Sequence, residues 1–256
     1  MKTYQVLSGA AVLACVAVLS VAHAQPAAIS PVITAAVAAP DRPQADVARD
    51  VNRKPAQLVA FAGLKPGDKV ADLMPGGGYF TRIFSHVVGD SGHVYAVVPA
   101  ELAQVAPKAR DAIQSVAAIP TYANVSVDVT PTAAMTVAEP LDVAWTSDNY
   151  HDVYGFFGAD AAAALDASVF KMLKPGGEFI VIDHVAAAGT SATSAKTLHR
   201  IDPETVKQQV VAAGFVYEGA SDVLSNPEDN HSLIVFDASI RGRTDQFAMK
   251  FRKPVQ

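Results

Sequence analysis

The chain has 256 residues, half of them hydrophobic and 18% charged, which suits one globular domain with a large core. Its formal net charge of -5, with no run of basic residues, lacks the electrostatic footprint of a nucleic-acid binder. Cys15 is the lone cysteine, so neither a disulfide framework nor a thiolate metal site is available.

Residues 1–24 read as a secretory signal. Lys2 supplies the positive start, residues 6–21 the apolar stretch, and Ala22-His23-Ala24 an A-x-A cleavage site before Gln25. A retained membrane anchor is the alternative, but the apolar run is short for a spanning helix. Cleavage predicts a periplasmic or secreted protein with no stable membrane span. Residues 25–40 are uncharged and rich in Ala and Pro, and predict a disordered linker ahead of a domain over 41–256. Two short helices are expected over 46–54 and 55–62, the second opening on Pro55 and stopped by Gly63.

Residues 70–74 are apolar apart from Asp72, as in a strand buried on both faces. Pro75 ends it, Gly76, Gly77 and Gly78 follow, and Phe80, Ile83, Phe84 and Val87 then repeat at helical spacing. Strand, glycine turn and helix in this order place bare backbone and a helix N-terminus beside a ligand. Three glycines also make a plain tight turn, so the pattern needs support from further along the chain.

That support is the alternation that follows. Strands are expected over 93–98, 125–129, 141–146, 178–183, 215–218 and 231–236. Helices are expected over 101–118, 157–173 and 203–213, the last with Asp202 as N-cap. This is an α/β pattern with a mainly parallel sheet and helices on both faces. The tail from Ile240 to Lys253 alternates charge with Phe247, Met249 and Phe251, as in a half-buried edge strand.

Several of these pieces carry a resemblance. The run from Val70 to Tyr79, Trp145-Thr-Ser-Asp-Asn-Tyr-His-Asp152, Leu173-Lys-Pro-Gly-Gly-Glu-Phe-Ile-Val-Ile-Asp183 and His199-Arg-Ile-Asp-Pro203 resemble class I S-adenosylmethionine-dependent methyltransferases. With the tail around Ile240-Arg-Gly242, they resemble in particular an exported bacterial group of predicted methyltransferases. The resemblance implies a Rossmann-like seven-stranded sheet with an antiparallel last strand, S-adenosyl-L-methionine as cofactor and a small-molecule acceptor. Two positions depart from it. Met74 replaces the first glycine of the turn, and Val98 stands where the second strand normally ends in an acidic residue.

On this resemblance the cofactor would meet Asp72, Gly76, Gly77, Gly78, Ser147, Asp128 and, reaching back from the next helix, Glu101. The segment from Ser147 to Asp152 follows the fourth strand, where open α/β sheets bind ligands. His151 is the expected general base, as a neutral imidazole, with Asp152 or Asp148 as its orienter. Asn149, Tyr150, His184, His199 and Arg200 are expected to face the acceptor. His151, Asp152, Asp183, His184 and His199 are ligand types for a divalent transition ion, which leaves a metal-assisted variant as one alternative, but no spacing such as H-x-x-x-H supports it and no metal is assigned. The competing function is an exported binding protein that kept the fold without the reaction.

Overall fold

In the computed structural model, residues 28–255 are described; the expected signal lies outside them. The strands are β1 (Lys69–Leu73), β2 (His93–Pro99), β3 (Val125–Thr130), β4 (Leu141–Ser147), β5 (Leu173–His184), β6 (Val216–Ser221) and β7 (Gln246–Arg252). They form one sheet in the order β3-β2-β1-β4-β5-β7-β6. Pairing is parallel from β3 to β5, and β7 runs antiparallel between β5 and β6. The Rossmann-like α/β architecture is therefore as expected, including the single reversed strand.

Eleven α-helices are present among the described residues: α1 (Pro31–Val37), α2 (Gln44–Val47), α3 (Asp50–Arg53), α4 (Pro55–Ala62), α5 (Tyr79–Val88), α6 (Ala100–Val105), α7 (Pro107–Ala117), α8 (Tyr150–Asp152), α9 (Ala159–Met172), α10 (Ala192–Leu198) and α11 (Pro203–Ala212). Each sheet face has its own core. On one, Ile33, Leu58, Phe80 and Phe84 pack against Trp145. Phe80 and Phe84 lie 4.7 and 5.1 Å from the Trp145 ring, within the range of favourable aromatic contact. On the other face, Leu165 and Val169 of α9 and Val206 and Val210 of α11 cover Phe179, Val181 and Phe251.

Four expectations change. The linker at 25–40 contains a helix, α1, whose N-cap Ser30 accepts from the Ile33 N–H and whose Ile33 and Ala36 are buried. A segment apolar all round needs only an apolar partner, and α4 and α5 provide it. The helix expected over 101–118 breaks into α6 and α7 at Pro107, which sits at the start of the second piece, where its missing N–H costs nothing. The strand expected over 231–236 is a series of turns. There Asp229 accepts from the His231 N–H, and Asn230 accepts from the N–H and hydroxyl of Ser232.

The fourth change concerns the tail. It is an inner strand, not an edge: Phe251 lies opposite Phe179 on one side and Tyr217 on the other. Its Lys250 stands within 4 Å of Glu178 and Glu218, so its charges serve cross-strand pairs.

Candidate active site

The carboxyl ends of β1, β4 and β5 meet at one sheet edge, with the order reversing between β1 and β4. Open α/β sheets bind ligands at that place. Two adjoining cavities lie there. The smaller, about 220 Å³, is lined by Asp72, Met74, Gly76, Gly77, Ser147 and Asn149. The larger, about 680 Å³, is lined by His151, Asp152, His184, His199, Phe236 and Arg241 among others. Arg49, Arg53 and Asp148 line both.

The turn after β1 is built by three left-handed residues, Met74 (φ 54°), Gly76 (φ 55°) and Gly78 (φ 81°). Met74 thus holds a left-handed backbone, the region that glycine enters most easily. Its buried side chain packs with Leu73 and Val97, and Asn149 Nδ2 donates to its carbonyl at 3.2 Å. A Cβ on Gly76 or Gly77 would meet nothing within 4 Å, whereas one on Gly78 would press on Ile113 and Val116 of α7 at 3.0 and 3.2 Å. Gly76 and Gly77 therefore front the smaller cavity, and Gly78 lets a helix pack closely beside it.

Asp72 is buried and accepts from Thr81 Oγ1 at 2.6 Å. Burial raises its pKa to about 7, against the opposing hydrogen bond from Thr81 and the charge of Arg53. That arginine, unnoticed in the sequence, comes from α3. Its Nη2 donates to Ser147 Oγ and Asp148 Oδ2, both at 3.0 Å, and its guanidinium stacks 4.6 Å from the Tyr79 ring. The small cavity thus sets a buried carboxylate and a guanidinium side by side.

Behind the wall of the larger cavity Asp183, fully buried, accepts from His151 twice: from the backbone N–H at 2.8 Å and from Nδ1 at 2.6 Å. The other ring nitrogen, Nε2, lies 3.1 Å from His199 Nδ1 and 3.2 Å from Asp152 Oδ1. Burial opposes charge on His151, but the Asp183 and Asp152 carboxylates outweigh it and raise its pKa to about 10. This corrects the expectation of a neutral general base: without another cation beside it, His151 keeps its proton at neutral pH. His184 is the opposite case. Burial lowers its pKa against the pull of Asp148 and Asp183, and its Nδ1 lies 2.8 Å from Thr244 Oγ1.

His199 and Asp148 hold left-handed backbones (φ 55° and 61°), and the segment Val153–Phe157 is a π-helical turn. Rare conformations of this kind persist where the surroundings dictate them, and they cluster at functional sites. A Cβ on Gly155 would fall 2.7 Å from the Lys196 nitrogen, so the π-turn seats α10 tightly and delivers His199 to His151.

Besides Gly78, which packs against α7, four expected site residues lie elsewhere. Glu101 accepts from the N–H and hydroxyl of Thr132, and Asp128 from Ser126 Oγ, both outside the two cavities. Tyr150 turns inward, its hydroxyl donating to Asp166 at 2.7 Å. Arg200 is fully buried and spends its donors on Asp229, Val185 O and Leu233 O, so it cannot face an acceptor. In each case the chemistry of the residue type was legible, but its partner from another part of the chain was not.

No family-level profile matches the chain. Over 131 residues it is 31% identical to a ubiquinone/menaquinone biosynthesis C-methyltransferase UbiE of Shewanella woodyi, covering 49% of this chain and 46% of that one. The chain thus spans about half the length of the curated relatives it matches. Its fold is similar to a SAM-dependent methyltransferase from Aquifex aeolicus, with a TM-score of 0.54, 17% identity, and 84% of this chain and 96% of that chain covered. It is also similar to the glycopeptide N-methyltransferase MtfA complexed with S-adenosyl-L-methionine, with a TM-score of 0.53, 16% identity, and 80% and 87% covered.

Proposed function

We propose that the chain is a class I S-adenosylmethionine-dependent methyltransferase, and that it transfers a methyl group in line from this cofactor to a small-molecule acceptor. The observation that carries the proposal is the pair of adjoining cavities. A zwitterionic aminoacyl group matches the smaller one: Asp72 is placed for its ammonium, Arg53 for its carboxylate, and bare backbone at Gly76 and Gly77 allows close approach. Bound there, the cofactor supplies an electrophilic methyl group on sulfur.

The protein's part is positioning and exclusion of water. Arg53 and Asp148 stand between the cavities, so a group held by Arg53 is presented toward the larger one. Phe236 and Val235 give that cavity an apolar wall, while His184, His199 and Arg241 give it polar ones. An acceptor with a flat apolar body and a polar or anionic handle suits those walls.

Titration calorimetry with S-adenosylhomocysteine tests the proposal. Saturable binding at one site per chain is expected, and Arg53→Ala should weaken it roughly 10- to 100-fold by removing a charge-assisted hydrogen bond. No binding to the unmodified protein at millimolar ligand rules the proposal out. Export belongs to the same reading. Intact-mass measurement of protein recovered outside the cytoplasm should show a chain beginning at Gln25, and a chain still carrying residues 1–24 would contradict it.

A further inference from the structure

We propose that His151, Asp152 and His199 bind one divalent transition-metal ion at the wall of the larger cavity. Their donor atoms form a nearly equilateral triangle: His151 Nε2 to His199 Nδ1 is 3.1 Å, His151 Nε2 to Asp152 Oδ1 is 3.2 Å, and His199 Nδ1 to Asp152 Oδ1 is 3.0 Å. An ion about 2.0–2.2 Å from each donor holds its ligands roughly 2.8–3.6 Å apart, the shorter end for near-octahedral and the longer for tetrahedral angles. Among the described residues this is the group of His and acidic side chains whose ligand atoms converge on one point.

A hydrogen-bond network accounts for the triangle less well. Asp152 Oδ1 is shielded from solvent and has no hydrogen-bond partner, although two ring nitrogens stand close to it. Neither meets it at a hydrogen-bonding angle, so this oxygen's lone pair is left for an ion held between the three groups.

The surroundings are those of a metal centre. Asp183 takes the His151 Nδ1–H at 2.6 Å, the carboxylate–histidine pairing that orients a ligating imidazole and leaves Nε2 for the ion. The left-handed backbone of His199 and the close seat of α10 on Gly155 fix the second imidazole. Two imidazoles and one carboxylate favour a first-row transition ion over magnesium or calcium, which prefer oxygen ligands. All three ligand residues line the larger cavity, so the remaining positions of a bound ion would face it. An acceptor oxygen or a water would fill them.

The inference goes beyond the methyltransfer proposal and does not depend on it, because the smaller cavity contributes no ligand. The sequence offers these three residues among the ligand types on the rim, but His199 lies 48 positions from His151, so no spacing motif singles them out.

The test uses the full chain, freed of metal by chelation and titrated with ZnCl₂. One equivalent should bind with micromolar or tighter affinity, and CoCl₂ should give the visible absorption of a low-coordinate cobalt site. Asp152→Asn and His199→Ala should each weaken zinc binding at least about tenfold, and Asp183→Asn, which touches no ion, about 10- to 100-fold. Circular dichroism on each variant checks folding. Absence of stoichiometric binding overturns the proposal, as does unchanged affinity in folded His199→Ala and Asp152→Asn. Parallel titration with S-adenosylhomocysteine reports on the other cavity, so failure of one proposal is distinguishable from failure of the other.

Discussion

Asp229→Ala is expected to destabilise the protein by about 3–5 kcal/mol, the usual result of stripping a buried cation of its counter-charge. Arg200 and Asp229 have side chains 0% and 2% exposed and approach to 2.8 Å. The remaining Arg200 donors are fixed on the Val185 and Leu233 carbonyls, so the guanidinium cannot swing out to water. The carboxylate also accepts from the His231 and Asp245 N–H groups at 3.0 and 2.8 Å, tying the turns after β6 to the start of β7. Burial opposes its ionisation, but those N–H groups and Arg200 hold its pKa below the ordinary value. Its contribution is therefore complete at neutral pH and is lost as pH falls through the lowered pKa. In a chain of this size the loss should lower the thermal midpoint on the order of 10 °C. Replacing both partners by leucine should recover much of it, because no charge is then left unpaired. A shift of under about 2 °C for Asp229→Ala would show that the pair contributes little.

Asp72→Asn should move stability and ligand affinity in opposite directions. The folded pKa of Asp72, about 7, lies above its unfolded value of 3.8, so between these two pH values the native state holds a proton that the unfolded state has released. Stability contributed at this position is thus greatest below the unfolded pKa and falls as pH rises toward 7, where the penalty for burying the carboxylate becomes complete. At about 1.4 kcal/mol per pKa unit the penalty is at most roughly 4 kcal/mol. Urea unfolding should find Asp72→Asn more stable than the parent at pH 8 and little different at pH 4. Binding should respond the other way. If Asp72 faces the ligand ammonium, affinity for S-adenosylhomocysteine rises with pH through about 7 in the parent, and the asparagine variant binds roughly 10- to 100-fold more weakly with a flat profile. A parent profile that is itself flat across that range would remove Asp72 from the ligand. Retaining a costly buried acid where a cation is to be bound is a common trade of stability for function.

The site was legible in part. The strand, the glycine turn and the rim after β4 all stand where their residues placed them, because each is a local pattern: buried period, backbone freedom, then polar residues. Asn149 reaches the turn at Met74, and Ser147 faces the smaller cavity with Gly76 and Gly77. Arg53 was invisible because its partners Ser147 and Asp148 lie 94 and 95 residues away, on a different element. The protonation of His151 was missed for the same reason, since Asp183 sits 32 residues on in another strand.

By itself, the sequence determined the alternation of strands and helices, the Asp202 N-cap of α11, and the carboxyl-end rim on which ligand chemistry gathers. Only the tertiary structure decided that α1 is a packed helix, that β7 inserts between β5 and β6, and that Arg200 and Tyr150 face inward while Arg53 lines both cavities. The physical reason is that periodicity and turn chemistry record which side of an element is apolar. They do not record which distant segment covers that side, and burial, charge pairing and pKa are all properties of the cover.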